Sequence, residues 1–132
     1  MRLTRASSYA LHAVVHMAGQ KKSGPTASHH IAQKRKIPER FLLKVLKPLV
    51  SAGILDSIKG PNGGYSLARP ANEISVLDVI EAVDGTIRGI APTGSDDPHN
   101  PLNRRLDQIC NQAAEQIRKL LGKVKISDLT SK

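Results

Sequence analysis

Arg40 and Lys44 stand four residues apart, with Lys47 three further on and Lys59 beyond them. Four-residue spacing puts the first two on one face of a helix, and Lys47 extends that face by about a turn. An arginine can grip guanine O6 and N7 with two parallel bonds, for roughly 1–3 kcal/mol of discrimination. A lysine neutralises phosphate, which supplies affinity but little sequence information. The chemistry on offer is recognition of a polyanion; the alternative is the solvated face of a small basic protein. Residues 21–59 hold nine Lys or Arg against Glu39 and Asp56, and the 132-residue chain carries a net charge of +9. That balance points to nucleic acid before an anionic membrane. One Phe, two Tyr and no Trp argue against a single-strand binder that stacks successive bases on aromatic rings.

The other chemically capable residues are fewer. His12 and His16 have a chelating i, i+4 spacing, but neither lies on the helix's apolar stripe and no third ligand is evident, so they are read as a solvated face before a metal site. His29 and His30 open a short helix, where one of them touches phosphate or water. Cys110 is the only cysteine, so neither an internal disulfide nor a four-Cys zinc site is available. It reads as a small apolar residue on a helix seam or as a thiol that oxidises or bridges two copies. No Ser-His-Asp set or paired carboxylate has supporting context, so no catalytic site is expected. Gly60 to Gly64 is no P-loop, because no Gly-Lys-Ser/Thr follows and no helix opens there.

The elements that must position these residues follow from periodicity. Residues 5–19 read as a helix with Tyr9, Ala10, Ala13, Val14, Met17 and Ala18 inward and Gly19 at its end. Thr26 or Ser28 can cap a second helix running to about Lys34. Residues 34–37 form a tight turn, and Pro38 suits the first position of a third helix, 38–52. Pro48 should kink or tighten its last turn, and Gly53 ends it in the left-handed cap. Residues 54–58 and 64–68 read as a hairpin with the glycine-rich tip Gly60-Pro61-Asn62-Gly63-Gly64. Ser75 and Asp78 make a capping box for a helix 76–84, stopped by Gly85. Residues 88–101 are polar and rich in Pro and Gly, a mobile linker in this reading. A long helix, about 101–122, then carries Leu102, Leu106, Ile109, Ala113, Ile117, Leu120 and Val124 on one stripe, and a short helical turn ends the chain. No apolar run reaches transmembrane length, and the start has no apolar signal core, so a cytoplasmic protein is expected.

Helix, helix, tight turn, helix and hairpin make a winged helix-turn-helix. The fold is therefore read as mainly α with a small β-hairpin wing plus a long C-terminal helix. In that arrangement the second helix of the pair enters the major groove, Lys59 stands at the base of the wing, and the wing tip, with Gly60, Asn62 and Gly63, reaches phosphates or the neighbouring minor groove. Three parts follow: a DNA-binding domain 1–85, a linker 86–101, and a C-terminal helix and tail 102–132.

The motifs Arg2-Leu3-Thr4, Tyr9-Ala10, Ile31-Ala32, Phe41-Leu42 and Ala52-Gly53-Ile54-Leu55, and above all Lys59-Gly60-Pro61-Asn62-Gly63-Gly64-Tyr65-Ser66-Leu67-Ala68-Arg69-Pro70, resemble the IscR–NsrR–CymR family of bacterial winged-helix transcription regulators. Ile74-Ser75-Val76, Asp78-Val79-Ile80, Ala82-Val83 and Gly85 continue the likeness, which is close over residues 1–85 and loose in the long helix. The resemblance implies a homodimer that pairs through Leu102, Leu106, Ile109, Cys110, Ala113, Ile117 and Leu120 and reads a palindromic operator in double-stranded DNA, most often as a repressor. It implies major-groove contacts at Pro38, Glu39, Arg40, Leu43 and Lys44, a wing-base contact at Lys59, and phosphate contacts at Arg2, Thr4 and Tyr9.

The chain departs from the family at several points. Leu43 stands where relatives can carry an acidic base reader, Lys59 replaces a frequent Arg, and Lys36 fills a turn position where Gly is common. Many members hold an iron–sulfur cluster with three cysteines after the 76–84 helix; the matching positions here are Pro92, Pro98 and Arg104. Clusters require thiolates, so no cofactor and no metal is expected. The signal would then act through residues 85–101, from a small effector or a regulatory protein. One rival reading is an interaction module controlled by a docking metabolic enzyme. A weaker one is non-specific binding of nucleic acid.

Overall fold

The computed structural model describes residues 1–21, 23–89 and 99–130. Its elements run α1 Arg5–Ala18, α2 Ser28–Arg35, α3 Glu39–Ser51, β1 Leu55–Ile58, β2 Gly64–Leu67, a 3-10 turn Ala71–Glu73, α4 Val76–Asp84, α5 Pro101–Lys123 and α6 Ile126–Leu129. The architecture is a winged helix-turn-helix with a long C-terminal helix. The linker expected at 88–101 lies largely outside the described residues, as do Pro92 and Pro98.

α1 is the central strut. Ala10, Ala13 and Val14 are fully buried, and their small size lets α3 and α4 pack closely on both sides. The Thr4 hydroxyl caps the helix by accepting from the Ser7 N–H at 3.0 Å. Ser7 is itself buried, and its hydroxyl donates to Asp84 at the end of α4. Thr4 donates to the same carboxylate at 2.7 Å.

The helix-turn-helix departs from expectation in its caps. Neither Thr26 nor Ser28 caps α2; Ala27 holds that position without a side-chain bond. Thr26 instead exchanges two backbone bonds of 2.8 Å with Tyr65, and Ser28, the first residue of α2, donates to Glu39 Oε1 at 3.2 Å. Lys36 makes the tight turn in the left-handed region at φ 55°, a conformation that disfavours a Cβ. Pro38 is the N-cap of α3 rather than its first residue, because its ψ of 127° is extended, not helical. The helix runs through Pro48 to Ser51 and closes in a Schellman motif: Ile54 N–H to Leu49 O and Gly53 N–H to Val50 O, each 3.0 Å, with Gly53 at φ +75°.

β1 and β2 pair antiparallel with Leu55 opposite Leu67 and Ile58 opposite Gly64. Ile54, expected in the strand, is the residue just past the Schellman turn; it is buried and accepts from the Ala68 N–H. The bridge to Thr26 ties the second strand back to the loop before α2, so the wing is fixed to the helical body.

α4 opens with the expected capping box, both Ser75–Asp78 bonds measuring 3.0 Å. α5 is capped by Asn100, whose side chain accepts from Leu102 N–H at 2.9 Å. The tail after α5 does not continue as a separate arm. Val76 N–H donates to Val124 O at 2.9 Å, Ile126 N–H donates to Ile74 O at 2.8 Å, and Ile126 is completely buried in the core shared with α1 and α3. The end of the 102–132 part thus packs on the helices of the first 85 residues, with Ile126 in their core. No helix among the described residues is long and apolar enough to cross a membrane.

Ile126→Ala should therefore lower the unfolding free energy by about 2–4 kcal/mol in a urea titration, and Leu129→Ala, at an exposed position, by less than about 1 kcal/mol.

Candidate nucleic-acid interface

α3 has two stripes. Leu42, Val45, Leu46 and Leu49 are buried, at steps of three, one and three. Arg40, Leu43, Lys44 and Lys47 repeat the same steps two residues earlier and are all exposed. At about 3.6 residues per turn, packing the first stripe turns the second outward. Leu43 keeps 42% of its surface exposed, an aliphatic contact between two cations. Pro38 and Glu39 are exposed at the start of the same helix. The Glu39 carboxylate accepts from Ser28 and sits in the first turn, where the helix dipole favours negative charge.

The wing tip is shaped by close backbone approach. Gly63 N–H donates to Gly60 O at 3.0 Å, closing a turn around Pro61-Asn62. A Cβ on Gly63 would fall 2.2 Å from Ile58 O, and one on Gly64 would fall 2.3 Å from Thr26 O. These glycines are required by space, so the tip is a thin projection with Lys59, Gly60 and Asn62 exposed.

The N-terminal residues divide. Arg2 is exposed, while the Thr4 hydroxyl is committed to the α1 cap and to Asp84. Tyr9 is half-buried and lines a hollow of about 220 Å³ between α1 and α3, with Arg5, Ala6, Phe41, Lys44 and Val45. Arg5 and Phe41 were not among the sequence candidates. Arg5 joins Lys44 at this hollow only through helix packing, and Phe41 keeps 38% of its surface exposed. The cations at Arg40 and Lys44 were the available signal for Phe41.

Along α5 the apolar stripe is uncovered. Leu102 is 64% exposed, Ile109 46% and Leu120 65%; Leu106 and Ala113 are exposed and Ile117 half-buried. The helix packs on α4 through the adjoining face, where Ala114 is buried and Arg118 Nε lies 3.4 Å from Glu81 Oε2. The same carboxylate oxygen accepts the Ile87 N–H at 2.9 Å. Cys110 sits at the border of the two faces, half-buried, where Gly89 approaches so closely that a Cβ would meet the Cys110 backbone at 2.2 Å.

His16 meets α2 rather than a metal. Its Nδ1 accepts from Arg35 Nε at 3.4 Å, and its ring lies edge-on to His30 with centroids 5.8 Å apart. Burial first, then the charges of Arg35, His30 and Lys34, hold its pKa below the ordinary 6.5. His12 is exposed, and no group of three or more His, Cys, Asp or Glu among the described residues could hold a metal ion.

A profile described as "Rrf2: Iron-dependent Transcriptional regulator" matches residues 3–132. The HTH-type transcriptional regulator IscR of Xenorhabdus nematophila is 29% identical over 129 residues, 98% of this chain and 79% of that protein. A Rhodobacter capsulatus HTH-type regulator described as rrf2-like is 32% identical over 125 residues, 92% of this chain and 80% of that one. Among solved structures, CymR, the global cysteine regulator of B. subtilis, superposes with a TM-score of 0.79 at 25% identity, over 98% of this chain and 95% of CymR. IscR of T. potens shares the fold, with a TM-score of 0.76 at 22% identity over 98% of this chain and 85% of that one.

The iron in the profile's description does not suit this chain's donors. The sequence holds one cysteine, on α5, and the position matched to a third cluster ligand is Arg104, an exposed cation on the same helix. An iron–sulfur cluster is held by several thiolates, and one thiol per chain does not supply them.

The His16 contact fixes a pH response. Its pKa is lower folded than unfolded, so the folded chain binds this proton less well. Stability is complete above about pH 6.5 and falls as the pH drops through the lowered folded value. His16→Asn should flatten the stability profile between about pH 7 and 5 in denaturant titrations.

Proposed function

The chain belongs to the Rrf2 family of transcriptional regulators, and from that premise we propose that it is a homodimeric repressor that occludes a palindromic operator. The family consists of DNA-binding helix-turn-helix regulators rather than enzymes, and chromosomal DNA sets the compartment of action as the cytoplasm. The observation that carries the proposal is the exposed row Arg40, Leu43, Lys44 and Lys47 on α3, opposite its buried row. A helix with this outward face fits the major groove. Arg40 is the candidate for direct base readout, with Leu43 suited to a thymine methyl group. Lys44, Lys47, Lys59 and Arg2 supply phosphate neutralisation, and Gly60, Asn62 and Gly63 present backbone and amide groups at the wing tip.

Dimerisation is supported by the uncovered stripe on α5. Large side chains such as Leu102 and Leu120, each more than 60% exposed on one 23-residue helix, form an apolar surface that soluble monomers rarely leave open. A second copy of the same helix buries it in a two-fold arrangement, which matches a two-fold operator.

Because the donors for a cluster are missing, DNA binding by this protein should not depend on bound iron. The test is a footprint on DNA upstream of the protein's own coding region, with and without an iron chelator. A protected inverted repeat that is indifferent to chelation supports the proposal; equal protection of scrambled DNA contradicts it. Arg40→Ala should cost about 1–3 kcal/mol on the protected site and relax the sequence requirement. Lys59→Ala should weaken all sequences alike and reduce the salt slope by about one. Ile109→Asp should give monomers in analytical ultracentrifugation and abolish cooperative protection of the two half-sites.

A further inference from the structure

We propose that Phe41 is a positioning residue for base reading: an aromatic platform on α3 that holds the Arg40 guanidinium and the Lys44 ammonium ready on the DNA-facing side. The inference rests on the DNA-binding reading above and adds a specificity role for a residue at the edge of the core. Both cation–ring contacts found among the described residues fall on this one ring. Arg40 Cζ lies 4.9 Å from its centroid and Lys44 Nζ 5.7 Å. Both distances are within the range at which a cation is attracted to an aromatic face.

The ring's place on the helix explains the arrangement. Phe41 falls on the border between the buried row and the exposed row of α3, with 38% of its surface open. Ala6 and Tyr9 of α1 line the hollow on one side of it, with Val45 of its own helix. The buried row already builds the core of this helix, so a partly open ring is more than filling.

Long charged side chains lose rotamer freedom when they dock, which opposes binding. A guanidinium resting on a ring face has already lost part of that freedom. A guanidinium that stacks on a ring through its planar face keeps its N–H edges available for a two-bond contact to a base. Leucine or methionine at 41 would fill similar space without a π face. Tyrosine would keep it.

The test measures the full chain by fluorescence anisotropy on the footprinted upstream duplex and on a scrambled duplex. Phe41→Leu should weaken upstream binding about 5–10-fold while scrambled binding changes by less than about twofold. Phe41→Tyr should restore near-native affinity. In an Arg40→Ala background, Phe41→Leu should cost clearly less than it does alone, because the coupling is already gone. Phe41→Met serves as the ring-free variant should the leucine protein unfold. Equal loss on both duplexes, equal loss with tyrosine, or full additivity with Arg40→Ala each overturns the platform role. If the unmodified protein does not distinguish the two duplexes, the DNA-reading proposal fails, an outcome separate from a Phe41 result obtained on a protein that does.

Discussion

Burial of Leu42, Val45, Leu46 and Leu49 against α1 is the contact on which the rest depends. Each leucine or valine withdrawn from water contributes roughly 1.5–3 kcal/mol before chain entropy is counted. The geometric consequence is as important. A helix that commits one row to the core has no freedom left for the opposite row. The backbone positions of Arg40, Leu43, Lys44 and Lys47 are therefore presented together on the outward face. The small residues Ala10 and Ala13 on α1 let α3 come close enough for this to be rigid. The Schellman turn at Gly53 then delivers the chain directly into the wing, so the wing's place relative to α3 is set by local backbone geometry.

A second set of contacts closes the molecule from the other end. The capping box at Ser75 and Asp78 starts α4 beside the backbone pairing that brings Val124 and Ile126 home. α5 is thereby held at its C-terminal end by main-chain bonds and by a buried isoleucine. Along its middle it is held by the Glu81–Arg118 ion pair. That pair is partly solvated and worth little alone. Its value is positional, since the Glu81 carboxylate also fixes Ile87 just before the segment leading to α5. With one face of α5 occupied in this way, the adjoining apolar face has nowhere to go within the protomer.

The join between these two sets is a small polar knot. Asp84 ends α4, where the helix dipole disfavours a negative side chain. Two hydroxyls from the start of α1, Thr4 and Ser7, donate to it and offset that cost. Ser7 is fully buried, so its hydroxyl requires a partner. The result couples the end of α4, and the segment that follows it, to the first turn of the helix on which the DNA-facing elements pack.

Local chemistry made much of this legible from residue order. Helix periods, the Ser75–Asp78 box, the Gly53 stop and the glycine-rich hairpin tip are short-range effects, and the structure has them within a residue or so of where the sequence puts them. The winged architecture and the exposed row on α3 followed from the same periodicity. The misassigned caps at Thr26 and Ser28 mark the limit of that logic. A hydroxyl before a helix has several partners, and which one wins depends on what comes near: here the second strand of the wing took the Thr26 backbone, and Glu39 took the Ser28 hydroxyl. Residue type and spacing did not set Phe41 apart from its apolar neighbours, yet 38% of it stays exposed and two cations lie against its ring. The terminal helical turn was legible, but the burial of Ile126 in the core was not. The sequence by itself determined the elements, their buried faces and the absence of cluster thiolates, because these depend on residue type and short spacing. Only the tertiary structure decided the tie of Thr4 and Ser7 to Asp84, the return of Ile126 and the hollow that Arg5 shares with Phe41 and Lys44, because each joins residues whose proximity is created by packing.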